Sequence, residues 1–245
     1  MKMQHSKKIL IVAFSVMILM WPIACGSRGE SGQIGNQIAS ENSESYLLPP
    51  PILDGDISVE HTLASRRSHR SFTEEPLTME ELSQILWAAY GITNERGFRT
   101  APSAGALFPL ELFVVVGNVT GMEAGVYRYI ASEHKLLRTL DQDIREELSD
   151  VALGQRMIRE APVVIVYTAV FSRTTGRYGA QQGRRYVYME VGHSAQNVYL
   201  QVEALGLGTC AVGAFDNNVS LTILGLSPEA EEEMLYLMPV GHIAR

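Results

Sequence analysis

Residues 65–72 read SRRSHRSF, so three arginines, a histidine and three serines fall within eight positions of a chain whose formal net charge is −7. Guanidinium forks and hydroxyls are the donors that a bound phosphate takes; the same residues also suit a solvated helix end. Three further segments offer chemistry. Residues 101–111, APSAGALFPLE, place small residues in series, which exposes backbone N–H groups to a planar or anionic ligand or simply turns the chain into a strand. Residues 190–197, EVGHSAQN, put Glu190, His193, Ser194 and Gln196 or Asn197 about one turn apart on a helix, as a polar face lining a solvated groove. His193 and Tyr186 are the candidates for proton transfer, without a firm catalytic assignment. Residues 206–216, GLGTCAVGAFD, end with small residues at Gly213 and Ala214, where backbone comes close to something.

Other chemistries are excluded. There is no Cys/His metal spacing and no H-E-x-x-H. A phosphate-cradling P-loop is absent, GLGTCAVG lacks the strand-before, helix-after setting of a dinucleotide fingerprint, and no nucleophile elbow is present. The acidic balance argues against a nucleic-acid binder.

The elements that must position these segments read as α+β. Ser58 caps a short helix over 58–66. Thr78 and Glu81 form a capping box, with Leu77 and Leu82 as staple, for a helix over 79–90 that Gly91 ends at C′. Residues 92–109 read as loop, LELFVVVG (110–117) as a buried strand, and GVYRYI with HKLLRTL as a hairpin. Asp141 caps a helix to 153. APVVIVYTAV (161–170) is a central strand. The longest helix runs over 180–205, with Val187, Val191, Ala195, Val198 and Val202 in helical spacing and GLG as its stop. TCAVGAF (209–215) is a strand, LSPEAEEEM (226–234) a short helix capped by Ser227 with Pro228 at N1, and LYLMPVGH (235–242) the last strand.

At 46% hydrophobic and 19% charged residues the chain can bury a sizeable core. Residues 1–24 carry a basic start, a short apolar run and a small-residue zone, the pattern of an export signal. Their end resembles a bacterial lipobox with Cys25 as the lipidated residue, and Pro22 stands where that pattern favours Leu; a plain signal peptide or an uncleaved anchor are the alternatives. Residues 25–56 read as a flexible tether closing on a proline-rich run, and 57–245 as the folded domain. The expected location is exported and membrane-anchored, on the periplasmic or extracellular face. With Cys25 lipidated, Cys210 has no disulfide partner.

The order and spacing of RRSHR, PSAGALFPLE, EVGHSAQNVYLQVEALGLGTCAVGAF and LMPVGH resemble the FMN-dependent nitroreductase superfamily, nearest to its SagB-type, azoline-oxidising dehydrogenase branch, over residues 48–242. The resemblance implies a central mixed or antiparallel sheet flanked by helices, in an intertwined homodimer with FMN at the interface. It implies Arg66 and Arg67 at the phosphate or ribityl side, Ser68 as hydroxyl donor, and Arg70 near the flavin N1 and C2 carbonyl. Pro102, Ser103, Ala104 and Gly105 would meet the flavin from the partner subunit. Val212, Gly213 and Ala214 would lie against the isoalloxazine with a backbone N–H near N5. Ala106 and Phe108 stand where many nitroreductases carry Asn and Gln, and the basic tail of many relatives has no counterpart after His242. The implied activity is hydride transfer through FMN by a ping-pong cycle, on a small-molecule or peptide substrate. NAD(P)H is the usual donor of nitroreductases and is not expected outside the cytoplasm, which leaves donor and acceptor open. The rival reading is a non-catalytic flavin-binding lipoprotein, a scaffold or sensor.

Overall fold

The computed structural model describes residues 44–216, 221–226 and 232–244. Its framework is a seven-stranded sheet: β1 (Ser45–Leu47), β2 (Leu110–Val116), β3 (Gly125–Ile130), β4 (Lys135–Leu140), β5 (Val163–Val170), β6 (Leu207–Thr209) and β7 (Glu232–His242). The order across the sheet is β1-β4-β3-β2-β5-β7-β6, and every neighbouring pair is antiparallel. The helices α1 (Val59–Ser65), α2 (Met79–Tyr90), α3 (Arg145–Val151), α4 (Arg156–Glu160), α5 (Ser172–Tyr178) and α6 (Ala180–Ala204) accompany it. The expected α+β class holds, and the pairing resolves to antiparallel throughout.

The unbroken apolar run of β5 follows from cover on both faces. Val163, Ile165, Tyr167 and Ala169 pack into one core with α2 and α6, while Val164 and Val166 pack into a second with Leu148, Met157 and Ile158 of α3 and α4. Side chains alternate between faces along a strand, so a strand buried on both sides loses the apolar–polar alternation that a half-exposed one shows. The capping box of α2 forms as its sequence dictates: Thr78 Oγ1 takes the Glu81 N–H and Glu81 Oε2 takes the Thr78 N–H.

Several boundaries differ from the sequence reading. Gly91 ends α2 in an extended conformation (φ −67°), not a left-handed one; glycine is needed there because a Cβ would lie 2.3 Å from Trp87 Cδ1. Asp141 is paired with Arg138 and caps nothing; α3 starts at Arg145, whose N–H goes to Asp143 Oδ1. Of the strand expected over 209–215 only Thr209 lies in one, with Val212 making an isolated bridge to Leu237; β6 comes earlier because Gly206 (φ 72°) turns the chain at once off α6 onto β7. β7 takes up Glu232–Met234, which the sequence reading gave to a helix, because they pair with Thr168–Val170; Ser227 and Pro228 lie outside the described residues. Ser45–Leu47, read as tether, pair with β4, and Leu48 is buried. The short α5 went unread, since RTTGRY has neither an N-cap side chain nor helical apolar spacing. No helix among the described residues is long and apolar enough to cross a membrane; residues 1–24 and Cys25 lie outside them.

α5 docks on α6 through Gly183, where an added Cβ would meet the Thr175 Cα at 2.6 Å and the Thr175 backbone N at 2.8 Å. Gly183→Ala is expected to push α5 away and cost about 1–3 kcal/mol, the usual range for overpacking. A urea midpoint equal to wild type would show that α5 does not pack as described.

Candidate functional site

The basic segment is built onto β6. Arg66 caps α1, giving its backbone N–H to Thr62 O at 2.9 Å. Ser68 then bridges to Thr209, and the His69 N–H bonds Thr209 O at 2.9 Å. Gly208 is required beside it, because a Cβ would lie 2.8 Å from that of His69. One side chain of α6 locks this corner: Tyr199 Oη meets Ser68 Oγ at 3.1 Å and takes the Ala211 N–H at 2.8 Å, while its ring lies 5.5 Å beneath the Arg66 guanidinium. The structure therefore brings RRSHR and GLGTCAVGA together, as the sequence reading required, through a tyrosine it did not single out.

The arginines divide. Arg66 is half-buried and Arg70 exposed, and neither guanidinium has a carboxylate partner among the described residues. Arg67 is turned back on α1, its Nη1 on the carbonyls of Ala64, Ser65 and Arg66 at 3.1, 3.1 and 2.8 Å. These bonds close the C-terminus of α1. The Val212 N–H is bonded to Leu237 O at 2.8 Å, and the next two residues, Gly213 and Ala214, are exposed.

The small-residue loop forms a second cluster. Residues 104–106 make a single 3-10 turn, with left-handed backbone at Gly105 (φ 63°), Ala106 (φ 53°) and Phe108 (φ 46°). For Ala and Phe this costs of order 1–3 kcal/mol each and persists only where neighbours over-determine the chain. They do so here. Arg99 stacks on the rings of Tyr90 (4.2 Å) and Phe108 (4.9 Å) and gives Nη1 to Tyr90 O. Ser103 Oγ takes the Phe108 N–H at 2.9 Å, Asn197 Nδ2 holds Thr100 O, and Arg173 Nη1 holds Phe108 O. At Gly105 a Cβ would meet the Tyr178 hydroxyl at 2.6 Å. Pro102 and Gly105 stay exposed, with Ser103 and Ala104 partly so.

Beneath this loop Glu190, 2% exposed, accepts the Tyr90 hydroxyl and has the Ser103 hydroxyl beside it. Burial pushes its carboxyl above the ordinary range against the pull of Ser103, Tyr90 and Arg99. Burial and Glu190 push Tyr90 upward too, so its hydroxyl stays protonated. The expected polar face of EVGHSAQN is thus split: Glu190 and Ser194 are buried, Ser194 Oγ sitting 2.6 Å from Ala89 O and 2.9 Å from Tyr167 Oη, while His193 is exposed. Tyr186 stacks edge-on against Tyr178 at 5.0 Å. Neither proton-transfer candidate lies within the Tyr199 or Glu190 clusters. A cavity of about 740 Å³ lies between residues 52–59, α2 and α6, lined by Trp87, Gln84, Leu200 and Gln201 among others; none of the expected flavin contacts lines it.

The Nitroreductase family model matches residues 63–242. The chain is 52% identical over 186 residues to a protein of Methanocaldococcus jannaschii named as a nitroreductase, covering 76% of this chain and 91% of that one. It is 29% identical to the trifolitoxin-processing protein TfxB of Rhizobium leguminosarum (58% of this chain, 39% of that one) and 25% identical to an FMN reductase [NAD(P)H] of Bacillus subtilis (64% and 54%). A solved nitroreductase-type structure from Ralstonia eutropha superposes with TM-score 0.73 at 26% identity, covering 88% of this chain and 97% of that one.

Because the Glu190 pKa is raised above 4.5 in the fold, the folded state holds this proton more tightly than the unfolded state does. Its contribution to stability is present below the unfolded value and lost as pH rises through the folded one. Glu190→Gln should therefore gain on wild type in urea midpoint between pH 4.5 and pH 8, since the amide cannot ionise. A difference between the two proteins that does not change with pH would remove Glu190 as the cause.

Proposed function

Given a chain that belongs to the nitroreductase family, we propose an FMN-dependent oxidoreductase that takes hydride from a donor and passes it to an acceptor in alternate half-reactions. The observation that carries the cofactor is the Tyr199 corner: Arg66, with no carboxylate partner among the described residues, lies over the Tyr199 ring, whose hydroxyl joins Ser68 to the Ala211 N–H, two residues before the exposed Gly213 and Ala214. Those residues fit FMN. Arg66 and Ser68 supply donors for the phosphate and ribityl chain. Arg70 supplies positive charge near the pyrimidine edge of the ring, and Gly213 and Ala214 offer a flat approach and the N–H groups that Val212 lacks. Bound FMN would supply the hydride chemistry itself; the protein provides placement, charge and exclusion of water.

The partner subunit is part of the proposal. The loop at Pro102–Gly105 is held rigid yet left exposed on a single chain, which suits a surface presented to a second copy. Val59, Leu63, Tyr188 and Met189 are exposed apolar side chains on α1 and α6 that a homodimer would cover. The SagB-type branch is proposed on PSAGALFPLE, with Ala106 and Phe108, and on EVGHSAQN; likeness to TfxB supports it, and the proposed substrate is a small molecule or peptide. Export and lipidation at Cys25 are proposed from residues 1–25 alone.

Purified protein is expected to be yellow and to release FMN on heating; protein that fails to bind added FMN below about 100 μM, some −5.5 kcal/mol, overturns the reading. Arg66→Ala should weaken FMN binding by about 10- to 150-fold, the value of one charge-assisted hydrogen bond of about 1.5–3 kcal/mol. Arg70→Ala should largely spare binding and lower the two-electron potential by roughly 30–65 mV. A potential unchanged in Arg70→Ala would remove that residue from the flavin's electrostatics. Photoreduced protein that reoxidises without acceptor selectivity would favour the flavin-binding scaffold instead.

A further inference from the structure

We propose that Glu190 is a positioning residue: its buried carboxylate, acting through Ser103 and Tyr90, sets the conformation of the 102–108 loop that faces the flavin. The link to flavin rests on the function proposed above; the link to the loop does not.

An ionisable group at 2% exposure in the middle of a helix is costly and calls for a compensating role. Glu190 has no salt bridge among the described residues. Its nearest cation, Arg99, is spread over the Tyr90 and Phe108 rings and acts on it only through space. What Glu190 receives is two hydroxyls. Tyr90 donates to Oε1, and the Tyr90 oxygen in turn faces the Leu110 backbone N–H. Ser103 Oγ already accepts the Phe108 N–H, so its own proton is free to point at Glu190. One carboxylate therefore reaches the loop near its start, directly at Ser103, and at its end, through Tyr90 at Leu110.

Between those two anchors lie the left-handed Gly105, Ala106 and Phe108. The anchors offset the cost of that backbone, which propensity alone would release. The choice of Glu over Gln also follows. A carboxylate offers two acceptor oxygens and no donor, the complement of two donating hydroxyls, whereas an amide offers one acceptor and one donor. Two acceptor oxygens serve the two hydroxyls better than the single one of an amide.

The test is hydrogen exchange at the Phe108 amide, read by NMR on the full chain without added cofactor, beside an FMN titration. Glu190→Ala and Ser103→Ala should each speed Phe108 exchange by about tenfold or more, and the double variant should be no faster than the faster single one. Glu190→Gln, which keeps the volume and one acceptor, should fall between Glu190→Ala and wild type. Amides of the core strands, such as Val114 and Ile165, should not change. FMN Kd should rise about tenfold in Glu190→Ala. Wild-type exchange at Phe108 in Glu190→Ala, or additive acceleration in the double variant, overturns the positioning role. Faster exchange with an unchanged FMN Kd overturns its link to the flavin. A wild-type protein that binds no FMN overturns the proposed function, and the exchange result still decides the role of Glu190. If Glu190→Ala does not fold, Glu190→Gln with Ser103→Ala serves the same cycle, and additivity again overturns the proposal.

Discussion

The phenol of Tyr199 is the interaction on which the corner between RRSHR and the end of β6 depends. It touches both the basic segment, at Ser68, and the chain after β6, at Ala211, and its ring forms the floor beneath Arg66. Without it the pairing of residues 68–69 with Thr209 would rest on a single bridge. A hydroxyl can accept and donate at once, so Tyr199 satisfies an N–H and a serine together; phenylalanine would fill the space and leave both unpaired. The position of that hydroxyl is fixed by α6, whose neighbouring residues Val198 and Val202 are buried in the core.

α6 is thus the common support of both clusters. Tyr199 near one end serves RRSHR and the backbone after β6, Glu190 near the middle serves the loop before β2, and Asn197 holds Thr100 between them. Its buried face joins the core while Tyr188, Met189 and His193 stay exposed on the other side. A displacement of this helix would shift both clusters together.

Much of this was legible in the sequence. The capping box of Thr78 and Glu81, the β-branched run of β5 and the valine spacing of α6 each carry their own local signal, and each forms as read. The meeting of RRSHR with GLGTCAVGA was legible only as a resemblance, since nothing local in either segment names the other. What stayed hidden depends on three-dimensional neighbours. Nothing in MEELSQILWAAY shows that Tyr90 will donate to a glutamate in another helix, and EVGHSAQN reads as a uniformly polar turn although Glu190 is buried and His193 is not. Arg67 looked like its neighbours because composition does not reveal which guanidinium folds back onto its own helix. Boundaries slipped where the chain turns abruptly, as at Gly206, because the turn was read as a stop and not as the first step into a strand.

The sequence distances inside the site have a kinetic consequence. Ser68 and Tyr199 are 131 residues apart, and Tyr90 and Glu190 100. Contacts of such separation give a high contact order, and the entropy of closing those loops must be met before the contacts return anything. Neither cluster can assemble from a nascent hairpin or a single helix. Both must await the docking of α6 onto α2 and the sheet, so a competent binding corner marks a chain whose folding is already complete. A ligand that grips this corner would stabilise the whole molecule by mass action.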